Sequence, residues 1–209
     1  MADSRKELSN IAFSRDAATY DQSSRYEPLR RCYPAIAAEA GSVPSQAILD
    51  VGCGTGALLS LIRQDNKTVR LFGVDLSEAM IRVAKAKLGK DANLGVSESE
   101  SLPFKDGSFD QLLCTFSFHH HPNPAMVLRE MRRVLSKRGR LILADPIAPV
   151  PVRQILNLLI PLSKDGAVRY YSKRELHALV RSAGFIVSKW EKLNWHSYML
   201  VADCASQSY

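Results

Sequence analysis

The chain has 209 residues, 46% of them apolar, and 28 Lys and Arg against 21 Asp and Glu give a formal charge of +7. That length suits a single α/β domain, 1–209, with a full core and a small cap. The longest apolar run, "ILNLLIPL", is too short to span a bilayer, the polar start "MADSRKELSN" lacks a signal-peptide core, and Cys32, Cys53, Cys114 and Cys204 form no CxxC pair, so a membrane span, a secretory leader, a zinc site and a disulfide framework are not expected.

These features lead us to expect a cytoplasmic protein with reduced thiols. The cations are scattered along helix-like segments such as "LREMRRVLSKRGR" and form no block or tail. A solvated helix surface therefore explains the charge better than a nucleic-acid partner does.

Residues 1–45 read as an N-terminal helical cap segment. Helical spacing from Tyr26 to Ala40 is punctuated by Pro28, which can open a helix, and Pro34, which kinks or restarts one. From residue 46 strands and helices alternate. "AILDV" is a short buried strand, "GALLSLIRQ" a helix and "VRLFGVD" a second strand. "SEAMIRVAKAKLG" is a helix with Ser77 as N-cap and Gly89 past its end. "ANLGV" and "FDQLLCTF" are the third and fourth strands. "NPAMVLREMRRVLSKRG" is a helix capped by Asn123, opened by Pro124 and stopped by Gly139, and "RLILAD" is the fifth strand.

Residues 146–171 interrupt the alternation with a short apolar helix, "VRQILNLLI", and are read as a lid insertion. Ser172 and Glu175 stand at capping-box spacing and open a helix that runs to Ala183. "FIVSKWEKL" and "SYMLVADCA" follow, joined by a short turn around Asn194, and must be antiparallel neighbours. The expected divisions are 1–45, the ligand-binding half 46–145, the lid 146–171, and a final helix and hairpin, 172–209. Alternation implies a parallel sheet with helices on both faces and a ligand at its C-terminal edge.

The stretch "ILDVGCGTGAL" points to that ligand. Gly52, Gly54 and Gly56 directly follow a strand, permit a tight turn and let a ligand touch the backbone. The pattern also fits the dinucleotide motif, so the glycines alone do not choose between cofactors. Asp75 ends the second strand, where a carboxylate can accept from both ribose hydroxyls. Asp50, two residues before the first glycine, would repel a pyrophosphate and attract a sulfonium or ammonium group. The Tyr-x-x-x-Lys pair of short-chain dehydrogenases is missing, since Tyr170 is followed by Arg174 and Tyr171 by Glu175.

"ILDVGCGTG", "GVDLSEAM", "ESLPFKDGSFD" and "FSFHHHPNPAMVLREMRRVLSKRGRLILAD", in that order, closely resemble the class I S-adenosylmethionine-dependent methyltransferases. The branch is the one typified by ubiquinone/menaquinone-biosynthesis C-methyltransferases and related small-molecule enzymes, and the likeness covers roughly residues 10–190. It implies a Rossmann-like seven-stranded sheet of order 3-2-1-4-5-7-6 with strand 7 antiparallel. It implies S-adenosyl-L-methionine as cofactor and a small-molecule acceptor.

By the same resemblance the glycine turn, with Cys53, holds the methionine part. Asp75 holds the ribose, Leu76 lies against adenine, Met80 is among the cofactor-binding residues, and Thr115 and Phe116 sit beside the methionine moiety. Where the family usually has Gly-Asp-Ala before Leu-Pro-Phe, this chain has Ser97, Glu98 and Ser99. Glu98 would accept from the adenine amino group and Ser99 would offer its backbone N–H. "AFSRDAATYD" is similar to the family's N-terminal segment, so Tyr20 would close over the cofactor.

His119, His120 and His121 follow the fourth strand and are the candidates for a base, should the acceptor have to lose a proton. The alternative is that they shape the turn before Asn123. No Cys or acidic partner stands at ligand spacing, so no metal is expected. An acceptor is expected between the N-terminal segment and Ile155, Leu156, Leu158, Leu159 and Ile160 of the lid. Two other functions stay open: methylation of RNA or another nucleic acid, whose Asp/Asn-Pro-Pro-aromatic motif is replaced here by "CTFSFHHH", and a non-catalytic regulator that binds the cofactor or its demethylated product.

Overall fold

The computed structural model describes residues 2–205; residues 206–209, the end of the expected final division, lie outside the described residues. The N-terminal segment forms α1 (Ala2–Asp16), α2 (Glu27–Arg30) and α3 (Tyr33–Gly41). Pro28 and Pro34 each sit in the first turn of α2 and α3, where a missing N–H costs nothing, so Pro34 restarts the chain in a new helix. The alternating part runs β1 (Ala47–Val51), α4 (Ala57–Asp65), β2 (Arg70–Asp75), α5 (Glu78–Leu88), β3 (Ala92–Val96), β4 (Phe109–Thr115), α6 (Pro124–Val134) and β5 (Leu135–Pro146). Then come α7 (Val150–Leu159), α8 (Lys173–Ser182), β6 (Phe185–Asn194) and β7 (Ser197–Cys204).

The seven strands form one sheet of order β3-β2-β1-β4-β5-β7-β6. Strands β1 to β5 pair in parallel, and β7 is antiparallel to both β5 and β6. This is the class I arrangement that the motifs imply. Each sheet face carries its own core. One buries Val127, Leu128 and Met131 of α6 with Leu176 and Val180 of α8; the other buries Ile36, Leu59, Ile62 and Ile81 of α3, α4 and α5.

Local chemistry accounts for most boundaries. Ser77 accepts from the Met80 N–H and opens α5. Ser172 and Glu175 exchange both capping-box bonds at the start of α8. The end of α6 differs from expectation. The helix stops at Val134, before Gly139, because the Gly107 N–H takes the Arg133 carbonyl at 3.0 Å and the Arg133 side chain is held by Glu130, Asp106 and the carbonyls of Leu102 and Phe104. Leu135 already pairs with Phe109, and Gly139 lies inside β5, where an added Cβ would meet the Leu135 side chain at 2.9 Å. Asn123 precedes α6, yet its side chain makes no capping bond; its carbonyl accepts from Met126 and Val127.

β1 lies next to β4, and the helices that follow these two strands, α4 and α6, pack on opposite faces of the sheet. The connections diverge there and leave a crevice at the C-terminal ends of β1, β2 and β4.

Candidate functional site

A cleft occupies that crevice, at the place where open α/β sheets bind ligands. Its floor is the glycine turn. Gly52, Gly54 and Gly56 have φ of 76°, 52° and 71°, a region that side chains strain to enter. The Gly52 and Cys53 N–H groups both donate to the Val74 carbonyl, at 2.8 and 3.0 Å, tying the turn to the end of β2. A Cβ on Gly52 would come within 2.4 Å of Ser117 Oγ. Gly52, Cys53 and Gly54 line the cleft. Gly56 does not: it begins α4 and packs so closely on α5 that a Cβ would meet Leu88 at 2.8 Å.

Two acids end adjacent strands at this floor and differ in their surroundings. Asp75 accepts from the Gly54 N–H at 2.9 Å and from the Ser77 N–H at 2.8 Å, so it latches the turn to the start of α5 and keeps lone pairs for a ligand. Burial pushes its pKa up, and those N–H bonds act against the rise. Asp50 is 1% exposed, and neither carboxylate oxygen has a hydrogen-bond partner among the described residues. Burial, with the Asp75 charge beside it, lifts its pKa to about 8. An orphaned buried carboxylate aimed into a cleft fits a cationic group. The ionisable groups of the lining fit it as well: the acids Asp50, Asp75, Glu98 and Glu100 face one basic side chain, Lys6. A pyrophosphate or a phosphodiester would meet repulsion there.

The walls bring the remaining candidates together. Leu76, Met80, Glu98 and Ser99 line the β2–β3 side, and Thr115 and Phe116 the β4 side. Phe116 has φ of 53°, a rare conformation for a bulky residue, and its N–H donates to the Ala144 carbonyl at 2.7 Å. Tyr20 lines the cleft and stacks on Tyr26 with ring centroids 4.0 Å apart. Residues outside the quoted motifs complete the wall. α1 contributes Lys6, Ser9 and Phe13, and α3 contributes Tyr33. Lys6 Nζ lies 2.9 Å from Glu98 Oε2 and 3.0 Å from Glu100 Oε1, which docks α1 over the cleft. α1 shows no apolar periodicity, so tertiary contacts such as the acids that Lys6 meets across the fold reveal its place.

The three histidines part company. His119 lies outside the lining; its Nδ1 is 2.7 Å from Asp145 Oδ1, both groups are buried, and its ring stacks on Tyr170. Its carbonyl accepts from the Val168 N–H at 2.8 Å and so ties this turn to the segment after α7. His120 and His121 do line the cleft. His121 Nδ1 is 3.0 Å from Ser99 Oγ, and its Nε2 and His120 Nδ1 have no partner among the described residues. Burial and the neighbouring His119 push His120 well below the usual imidazole range and His121 down to about 3. Both are therefore neutral near pH 7 and reluctant to take a proton.

Residues 146–171 do not face the cleft as expected. Ile155, Leu156, Leu158 and Leu159 are exposed and none lines it; Ile160 is buried. Asn157 explains part of this: its side chain bonds both the N–H and the carbonyl of Tyr170, which holds α7 against the following segment on its polar side. Among the described residues, no helix is long and apolar enough to cross a membrane.

Comparison with known proteins shows the family and the fold. A family described as a methyltransferase domain matches residues 49–143, from β1 into β5. A malonyl-[acyl-carrier protein] O-methyltransferase of Geobacter sulfurreducens is 31% identical over 191 residues, 87% of this chain and 70% of the relative. A demethylmenaquinone methyltransferase of Thermotoga maritima is 35% identical over 107 residues, 51% of this chain; the chain spans about half the length of that relative, 46%. Among solved structures, a SAM-dependent methyltransferase from Aquifex aeolicus superposes with a TM-score of 0.72 at 21% identity, covering 92% of this chain and 98% of that one, which shows a common fold.

Proposed function

This chain belongs to the class I S-adenosylmethionine-dependent methyltransferases, and from that premise we propose that it methylates a small, partly apolar molecule in the cleft above the glycine turn. When bound, S-adenosylmethionine supplies a methyl group on a positively charged sulfur, ready for in-line displacement. The observation that carries the reading is the pair of acids at the ends of β1 and β2. Asp75 is held by two backbone N–H groups with lone pairs to spare for ribose hydroxyls, and Asp50 is buried without a partner where a cation would satisfy it.

The chain's part is binding, orientation and exclusion of water. Gly52 and Gly54 bring the backbone against the methionine portion, and Cys53, Thr115 and Phe116 shape its sides. Leu76 and Met80 offer apolar contact to the base, with Glu98 and Ser99 at its polar edge. Tyr20 and Phe13 cover the cleft from the N-terminal segment and shield it from bulk water. His120, whose ring meets Phe13 edge-on at 5.1 Å, presents an uncharged ring nitrogen that can accept a hydrogen bond from an acceptor hydroxyl or amine and align it. Its depressed basicity argues for orientation rather than proton removal.

Aromatic cover from Phe13, Tyr20, Tyr33 and Phe116 favours an acceptor with apolar bulk. The two relatives are named for different acceptors, demethylmenaquinone and malonyl-[acyl-carrier protein], so kinship alone selects neither. Titration calorimetry with S-adenosylmethionine, S-adenosylhomocysteine and NAD tests the cofactor: binding of the first two and not the third is expected, and the reverse refutes the reading. Labelled methyl transfer into a metabolite extract and into total RNA tests the acceptor class; label in RNA alone overturns a small-molecule acceptor.

A further inference from the structure

The turn between α1 and α2, residues 17–26, brings Tyr20 to the cleft and rests lightly on the fold. Within it Ala17 and Tyr26 are buried and the other residues are half-buried or exposed. Its own bonds keep it compact. The Gln22 and Ser23 N–H groups donate to the Thr19 carbonyl at 3.0 and 2.9 Å, and Arg30 of α2 donates to the carbonyls of Tyr20 and Ser23 at 2.8 and 2.9 Å. Those bonds fix the shape of the turn and not its place against the sheet.

Asp21, the residue after Tyr20, supplies the place. One of its carboxylate oxygens accepts from the Thr55 hydroxyl at 2.6 Å and the other from Lys87 Nζ at 2.5 Å; Lys87 also donates to Thr55 Oγ, at 3.3 Å. Thr55 stands between Gly54 and Gly56, is 2% exposed and lines the cleft, as Tyr20 does. The cover of the cleft and its floor are thus joined through one side chain. The Lys87–Asp21 pair is partly exposed, so water screens it. The bond from the Thr55 hydroxyl is charge-assisted and buried at its threonine end, and it carries most of the hold. The rest of the floor does not depend on it. Gly52 and Cys53 are tied to Val74 and Gly54 to Asp75, and α4 and α5 share a core of Leu59, Ile62, Ile81 and Leu88.

We propose that Asp21 is a positioning residue that holds Tyr20 closed over the cleft through Thr55. The proposal rests on the cofactor reading above: a ligand seated on the glycine turn enters and leaves by parting Asp21 from Thr55, and its affinity rises with the share of the ligand-free chain in which the turn is already closed.

Hydrogen exchange and calorimetry on the full chain test it. In the ligand-free protein Asp21→Ala should speed exchange of the Gln22 and Ser23 amides by about tenfold or more and leave α4 and α5 as in wild type. Thr55→Val should do the same, and Thr55→Ser, which keeps the hydroxyl, should keep the protection. S-adenosylmethionine and S-adenosylhomocysteine should each bind about tenfold more weakly to Asp21→Ala and to Thr55→Val. The double variant should lose no more than either single one, because both remove the same contact. Tm should fall by no more than about 6 °C. Wild-type exchange at Gln22 and Ser23 in Asp21→Ala overturns the proposal. So does faster exchange spread over α4 and α5, which would make Asp21 a staple of the fold, and so does a faster-exchanging turn with unaltered affinity for both ligands. A wild type that binds neither ligand refutes the cofactor reading instead, and exchange in the ligand-free chain then still decides whether Asp21 holds the turn closed.

Discussion

Replacing Asp50 by Asn tests how the cleft recognises a cation. The Asp50 carboxyl is buried, has no hydrogen-bond partner among the described residues, and has its pKa raised from 3.8 to about 8 by burial and by Asp75. Between those values the folded chain keeps a proton that the unfolded chain has lost. Stability therefore falls as pH rises through this window, and it is fully retained only below the unfolded pKa. At pH 7, about 3 units above 3.8, the cost is about 4 kcal/mol. Asn is near in shape and uncharged, and its unpaired amide costs about 1–3 kcal/mol of that in return. The ligand-free Asp50→Asn variant should thus be about 1–3 kcal/mol more stable than wild type at pH 7, a rise in Tm of about 2–12 °C, and its pH slope between pH 4 and 8 should flatten.

Cofactor binding should move the other way. Loss of a buried charge-assisted contact should weaken S-adenosylmethionine by about 10–100-fold. A parallel loss for S-adenosylhomocysteine places Asp50 at the ammonium, and a loss confined to S-adenosylmethionine places it at the sulfonium. At pH 7 wild-type binding should release up to about one proton as the ligand cation ionises Asp50. Calorimetry in two buffers of different ionisation enthalpy reads that release, and urea titration across pH reads stability. Unchanged affinity for both ligands, with an unchanged pH slope, refutes the reasoning.

Asp75→Asn should weaken S-adenosylmethionine by about tenfold or more and destabilise the ligand-free chain by about 1–3 kcal/mol, since the amide cannot accept from both Gly54 and Ser77 as the carboxylate does; calorimetry and denaturant titration measure the two effects. Gly52→Ala should impair binding at least as strongly, because the new Cβ would lie 2.4 Å from Ser117 Oγ in a backbone conformation with φ of 76°; an unaltered Kd would show that the turn yields. His119→Ala should cost about 3–5 kcal/mol of stability by leaving Asp145 buried without its partner. His120→Ala should instead lower kcat/KM with little change in Tm. Because His120 is held well below the usual imidazole range, the wild-type pH profile should show no histidine limb between pH 5 and 8 that the variant loses; such a limb would establish His120 as a base.

The strand–helix alternation, the glycine turn and the two acids were legible in the sequence because each depends on neighbours in the chain. A buried parallel strand is a short apolar run, a turn that needs positive φ is written in glycine, and the Ser172–Glu175 capping box spans a single helical turn. The closing hairpin was legible because its connection is too short for a crossover. Motif order placed Cys53, Leu76, Met80, Thr115 and Phe116 on one ligand before any coordinates, and all five line the cleft.

Tertiary structure decided what depends on partners distant in the chain. Only packing shows that Gly56 serves the α4–α5 contact and not the cleft, and that α6 ends early because a loop at residue 107 claims the Arg133 carbonyl. Three adjacent histidines are equivalent in sequence; Asp145, Ser99 and a buried wall give them three different environments. Lys6 belongs to the site through acids 92 and 94 residues away. The apolar run of α7 reads as a lid over an acceptor because sequence patterning reports how apolar a helix is. Whether anything lies against it is a property of the assembled surface, and there the leucines face outward.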